Sequence, residues 1–336
     1  MGTKIAQASQ TCYDFGAMKT DKQFWTTLPK PIIGLAPMDG YSDSAFRRVC
    51  KSVNPLIVTI TEFTSADGLF HNAERVKKKL QFHTSETPVI AQIFGKNIET
   101  FIAATKLCED MGFSGIDLNM GCPAKNVVQS EHGVALRKNH DLAFALVEAV
   151  AKNTSLPVSV KTRLGWCDSS DLIPFAIGAQ NAGADMICIH ARTYTNPYNV
   201  PAQFEPVYNM KQQLKIPVIG NGGITSIPDG LEKLGNLDGF LIGQATFGNP
   251  WVFAATPPQS FSEKIPLILN HARWLIEDKG ETRGCYEIRK HLISYVKSLP
   301  NAKAFRSKLC HVASITEIET ILTEISQQLT TAAQSA

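Results

Sequence analysis

Asn119 to Asn126 reads NMGCPAKN, a thiol set between a glycine and a proline with a lysine three residues on. The stretch follows the apolar run GIDL from Gly115, which predicts a strand. Gly121 lets the chain turn and Pro123 fixes φ, so Cys122 is presented at the strand tip. A thiol so placed is a candidate reactive group, whereas most lone cysteines are small core residues. Lys161 and Arg163 stand two apart in PVSVKTRLG, which puts both on one face of a strand. Alone, such a pair is two solvated charges. In a strand buried on both sides it needs neutralising, and an anionic cofactor would do so. IGNGGI from Ile219 and IGQATFGNPW from Ile242 add glycine loops whose N–H groups can approach a phosphate closely. His190 ends another apolar run. By itself it reads as a satisfied core histidine; beside Lys161 it becomes a partner for a polar cofactor edge. No cluster of His, Cys and Asp has metal-ligand spacing and no G-x-S-x-G occurs, which argues against a metal centre and an acyl-transfer triad.

These residues need a scaffold that gathers strand ends. Eight continuous apolar runs recur: from Ile32, Leu56, Pro88, Gly115, Pro157, Met186, Pro217 and Asp238. Continuous rather than alternating runs predict parallel strands covered by helices. The segments between them have helical spacing. IETFIAATKLCEDMG stops at Gly112, and DLAFALVEAVAKN has Asp141 placed to cap it. Eight such units predict a (β/α)8 barrel, whose active site forms at the C-terminal strand ends. A doubly wound open sheet is the alternative, and its G-x-G-x-x-G is missing. The polar residues fall at those ends: Pro37-Met38-Asp39, Glu62, Gln92, Asn119 and Cys122, Lys161 and Arg163, His190 and Arg192, Asn221-Gly222-Gly223, and Gly243-Gln244. Residues 1–29 read as a loose extension, 30–255 as the barrel and 262–336 as a small all-α domain beyond the linker ATPPQSF.

The chain has 336 residues, 44% hydrophobic, enough for a large core. Its formal net charge of +3 excludes a global polycation, so any nucleic-acid surface must be local. One local basic stretch exists: Arg283 to Lys308 holds seven Lys or Arg against the single acid Glu287. The eight cysteines form no C-x-x-C pair and read as reduced cytosolic thiols. Neither a leader, a myristoylation pattern nor an apolar run long enough to span a membrane is seen, so a cytoplasmic protein is expected.

In order and spacing, LAPMDGYSDSAFRRVC, LNMGCPAKNV, PVSVKTRLGW, IHART, IGNGGI, GNPWVF and RKHLISYVKSLPNAKAFRSKL resemble the tRNA-dihydrouridine synthases. The resemblance covers about residues 30–310. It implies an FMN barrel followed by a helical domain that grips tRNA, and reduction of uridine to 5,6-dihydrouridine with NADPH. No metal is expected, and no obligate protein partner is inferred. Transferred residue by residue, Cys122 is the proton donor to C5 of uracil, opposite a hydride added at C6. An acid is needed there, and a thiol of pKa about 8.5 stays protonated near neutrality. Pro37, Met38 and Asp39 line the flavin, Gln92 and Lys161 meet its ring edge, and His190 lies by the flavin or its phosphate. Asn221, Gly222, Gly223, Gly243 and Gln244 hold the phosphate end. Asn119 faces a base extruded from the RNA, Arg163 assists it, and Arg289, Lys290 and Lys297 bind tRNA. The chain departs from the family's usual pattern at Gln244, at Glu131-His132 and over Tyr194 to Val200, where only Tyr198 is kept. Two alternatives stand beside this reading: an FMN barrel oxidoreductase acting on a free dihydropyrimidine or orotate-type molecule, and a non-catalytic tRNA-binding protein.

Overall fold

A computed structural model describes residues 21–334. Residues 1–20 of the expected extension, Cys12 among them, lie outside the described residues. Nine strands form one sheet: β1 (Ile32–Leu35), β2 (Val58–Ile60), β3 (Thr64–Ser65), β4 (Val89–Phe94), β5 (Gly115–Met120), β6 (Val158–Arg163), β7 (Met186–His190), β8 (Val218–Asn221) and β9 (Gly239–Ile242). All pairings are parallel, and β2 pairs with both β1 and β4, which closes the barrel. Each of the eight apolar runs supplies a barrel strand. The two-residue β3 follows directly on the run from Leu56 and pairs with β4 alone.

The outward strand faces pack under helices such as Ser44–Val53, Ile98–Asp110 and His140–Lys152. The last of these is capped by Asn139, whose side chain accepts from Leu142 N, and not by Asp141, which sits in the first turn. Inside the barrel, Val58, Ile60, Ile90, Met186, Cys188, Ile219 and Leu241 cluster with Phe24, Trp25 and Leu28. Residues 21–29 are therefore no loose extension. The short helix Phe24–Thr27 plugs the barrel floor with two aromatic rings that are 0% and 1% exposed. One row higher the interior turns polar, since the register aligns Gln92 with Asp117 and Asp117 with Ser159.

Beyond the barrel, helices Phe261–Lys279, Glu281–Tyr295, Ala302–Leu309 and Ile315–Gln334 build a second core. Ala45 and Trp251 from the barrel side belong to it. The seam is tight. Asp43 caps Ser44–Val53 through Phe46 N, and its other oxygen accepts from Lys279 Nζ at 2.7 Å. Gly248 has φ 70°, and a Cβ there would lie 2.1 Å from Ser294 O, so only glycine fits. Among the described cysteines, Cys50, Cys108, Cys188 and Cys285 are buried as expected, whereas Cys310 is half-buried and Cys167 exposed. Among the described residues no helix is long and apolar enough to cross a membrane.

Candidate active site

A cavity of about 590 Å³ opens at the C-terminal mouth of the barrel. It collects Pro37, Met38 and Asp39 after β1, Gln92 from β4, and Asn119 and Cys122 from β5 and its loop. Lys161 and Arg163 from β6, His190 from β7, Asn221, Gly222 and Gly223 from β8, and Gly243 and Gln244 after β9 complete it. Every barrel residue that the sequence reading gave a cofactor, substrate or catalytic role thus borders one space, whereas Glu62 borders the neighbouring cavity. Arg289, Lys290 and Lys297 do not.

Cys122 sits half-buried on a loop held at both ends of its peptide unit. Its N–H donates to Asn119 Oδ1 at 2.9 Å, and its carbonyl accepts from Val134 N at 3.2 Å. Gly133, at φ 60°, passes so close that a Cβ would stand 2.8 Å from that carbonyl. Burial pushes the Cys122 thiol up from its ordinary value, helped by Asp39 and opposed by Ala124 N–H, Arg163 and Lys161. A thiol so placed keeps its proton at neutral pH, as a proton donor must.

Lys161 Nζ donates to Asn221 Oδ1 at 3.0 Å, and Asn221 Nδ2 donates on to Leu241 O at 2.9 Å. No carboxylate pairs with Lys161 among the described residues, so its charge is available to a ligand. Arg163, by contrast, is only 2% exposed and spends its donors on the protein: Nε on Gly121 O at 2.9 Å, Nη1 on Thr193 O at 3.1 Å and Nη2 on Tyr198 Oη at 3.2 Å. It straps the cysteine loop to the loop after β7. The shared face of the Lys161 and Arg163 pair holds, but only the lysine lacks an internal partner that would occupy it fully.

His190 Nε2 lies 3.1 Å from Arg192 Nη1, and a guanidinium can only donate, so the imidazole accepts. Burial, with the charges of Lys161, Arg163 and Arg192, holds His190 well below the usual histidine range. Gly222 has φ 110°, and a Cβ there would come within 2.5 Å of His190 Cδ2. This glycine is required by both backbone and space. Gly243 has open room, since a Cβ would meet only Ala36 Cβ and Met38 Sδ at 3.5 Å. Gln244 is exposed beside it, and Asp39 pairs with Lys79 at 2.6 Å on the rim.

Gln92 is fully buried. It donates from Nε2 to Asp117 Oδ2 at 2.7 Å and accepts from Asn119 Nδ2 at 2.8 Å. Asp117 lies inside GIDL and was read with that run as apolar. A lone acid within a buried strand is costly unless it is hydrogen-bonded, and that was the available signal. Arg192, Tyr198 and the stacked pair Tyr41 and Phe247, 4.0 Å apart, also line the cavity.

On the helical side, Arg289 donates to Val312 O at 3.0 and 2.8 Å, which makes it a brace between helices. Lys290 reaches the barrel, donating to Gly40 O and facing the Tyr41 ring at 5.4 Å. Lys297 is exposed. A neighbouring cavity of about 310 Å³ shares Asp39 with the first and brings Arg75, Lys78 and Lys79 opposite Lys290. Acids also line it, among them Asp43, Glu62 and Glu287, and the barrel's basic residues there were absent from the sequence reading.

Residues 34–334 match the family described as Dihydrouridine synthase (Dus). A "Probable tRNA-dihydrouridine synthase" of Staphylococcus epidermidis is 34% identical over 314 residues, covering 90% of this chain and 95% of that one. A protein of the same description from Rickettsia bellii is 33% identical over 285 residues, 81% of this chain and 87% of its own. The "tRNA-dihydrouridine synthase B" of Xanthomonas campestris is 32% identical over 296 residues, 84% and 88%.

Proposed function

Because the chain belongs to the dihydrouridine synthase family, we propose that it is a flavin-dependent oxidoreductase that reduces a uridine of tRNA to 5,6-dihydrouridine, using FMN and NADPH. The observation that carries this reading is the half-buried Cys122 thiol, its pKa raised, on a braced loop bordering the same cavity as Lys161, which no carboxylate pairs. The cavity fits a flavin. Lys161 offers a charge to the ring's polar edge, with Gln92 beside it, and the glycine loops after β8 and β9 leave room for a phosphate near Arg192 and His190. The residues 30–255 would hold the flavin, and 262–336 would hold tRNA together with the barrel rim at Arg75, Lys78 and Lys79.

Bound FMN, once reduced by NADPH, supplies the hydride. The protein supplies the rest. Asn119 and the aromatic rim receive a base that must first leave its stack, because a duplex cannot enter a barrel-mouth cavity of about 590 Å³. Cys122 gives its proton to C5 as C6 takes the hydride, and the resulting thiolate is reprotonated from solvent. Arg163 and Asn119 hold the loop, so the thiol meets the base at a fixed place. A cytoplasmic enzyme follows from this substrate.

The test is purified protein with FMN, NADPH and an unmodified tRNA transcript, followed by nucleoside analysis mapped by position. Dihydrouridine at one defined position is expected. Free uridine turned over as fast as tRNA would favour the small-molecule oxidoreductase, and tRNA binding without reduction would favour the non-catalytic reading.

A further inference from the structure

The buried row beneath the cavity is a chain of hydrogen bonds with a direction, and both ends force it. At the upper end the N–H groups of Gly121 and Cys122 can only donate, so the Asn119 atom 3.2 and 2.9 Å away is its oxygen. Asn119 therefore turns its nitrogen to Gln92 at 2.8 Å, and Gln92 meets it with oxygen. Gln92 then turns its own nitrogen to Asp117 at 2.7 Å, where a carboxylate accepts. Ser159 donates to the other carboxylate oxygen at 2.6 Å. Gln92, Asp117 and Ser159 are 0% exposed, so no bulk water competes for these bonds. The oxygen of Asn119 is fully used and one of its N–H groups is spent on Gln92. What Asn119 retains, where it borders the cavity, is a single donor.

We propose that Asp117, which does not line the cavity, is a positioning residue: through Gln92 it fixes the Asn119 amide so that the site offers a donor, and a base is accepted there through a keto oxygen and not through an amino group. This rests on the reading of the substrate as a pyrimidine of tRNA. It assigns to the row a part in choosing uracil, whose 4-position carries oxygen, over cytosine, whose 4-position carries an amino group.

Two pairs of variants test it. Asp117→Leu removes the acceptor that orients Gln92, and transfer from reduced flavin to tRNA should fall about 10–100-fold in single turnover. Asp117→Asn can still accept from Gln92 if Ser159 turns to accept from the new amide. It should restore transfer to within about threefold of wild type. An asparagine variant as slow as the leucine variant overturns the proposal, as does a leucine variant at wild-type rate. The second pair reverses the chain. Asn119→Asp sets carboxylates on both sides of Gln92, so one must face its oxygen, and Tm should drop by several degrees. Asp117→Asn added to Asn119→Asp lets both bonds of Gln92 reverse while Ser159 and the N–H groups of Gly121 and Cys122 still donate, and most of that drop should be recovered. Transfer should nevertheless stay at least about 100-fold down, because the cavity now meets an acceptor. A double variant no more stable than Asn119→Asp, or one that transfers at wild-type rate, overturns the proposal. The melting comparison uses no substrate, so it stands or falls by itself; a wild-type protein that reduces no tRNA sinks the proposed function instead.

Discussion

Replacing Cys122 with alanine separates the two half-reactions. Burial raises the thiol pKa above its ordinary value, so near neutral pH the thiol holds its proton. Almost every molecule is therefore ready to donate. The loop around the thiol is held by Asn119, Val134 N and Arg163, none of which bonds to the sulfur. Alanine should leave that loop in place, costing the thiol's modest burial and its contact with the Ala124 N–H. NADPH reduction of the flavin needs no proton from this position and should proceed as in wild type. Transfer to tRNA should fall by about 10²–10⁴, the usual contribution of a positioned general acid, or about 3–5 kcal/mol of barrel-site barrier. Serine should restore little, being a much weaker acid. The assay is anaerobic single-turnover reoxidation of reduced flavin by tRNA transcript, with flavin reduction by NADPH followed separately. Reoxidation at wild-type rate in the alanine variant would refute the reasoning and hand the proton to another group. A parallel loss of NADPH-driven reduction would show that the thiol shapes the flavin site instead.

Lys161→Ala should weaken FMN binding on the order of tenfold, read by flavin titration of the stripped protein, because it removes a cation that makes no ion pair among the described residues. Asp43→Asn keeps the helix cap but loses the charge on Lys279. Burial alone would raise the Asp43 carboxyl, but Lys279 brings it down to about 2, below an unfolded value near 4. The stability it contributes is present above pH 4 and is lost as pH falls toward 2. The variant should thus be about 2 kcal/mol less stable than wild type at pH 7 and converge with it in acid, by denaturant melts. Arg289→Glu should destabilise by about 2–4 kcal/mol, since the new carboxylate faces the carbonyls of His311 and Val312. Lys297→Glu should leave the melt unchanged and lower both tRNA affinity and its salt slope. Equal melts for these two variants would contradict the assignment of Arg289 as a brace.

The strands were legible because parallel barrel strands are buried on both faces, and eight apolar runs can mean little else at this spacing. The cavity was legible for a related reason: polar residues ending apolar runs have nowhere to go but the mouth. Four things were not. The plug formed by Phe24 and Trp25 was missed because four helical residues carry no periodicity to read. The brace role of Arg289 depends on where the chain returns at Val312, and a basic stretch looks the same whether its cations face solvent or carbonyls. Asp117 was hidden by its apolar neighbours, although its type argued against them. Asn139 won the cap from Asp141 because the helix starts at His140, two residues before the apolar pattern begins at Leu142.

Gly248 fixes more than a loop. With Ser294 O where its Cβ would be, and Asp43 and Lys290 tying the same seam, the last helices cannot swing relative to the barrel mouth without breaking these contacts. The protein then acts as a caliper set to one opening. On the proposed function, the span from an RNA-gripping surface of these helices to the thiol is constant, so the nucleotide that reaches the thiol would be counted off by distance along the RNA's own folded shape. Changing that choice would require moving the grip across the helical surface, residue by residue, while the jaw stays still.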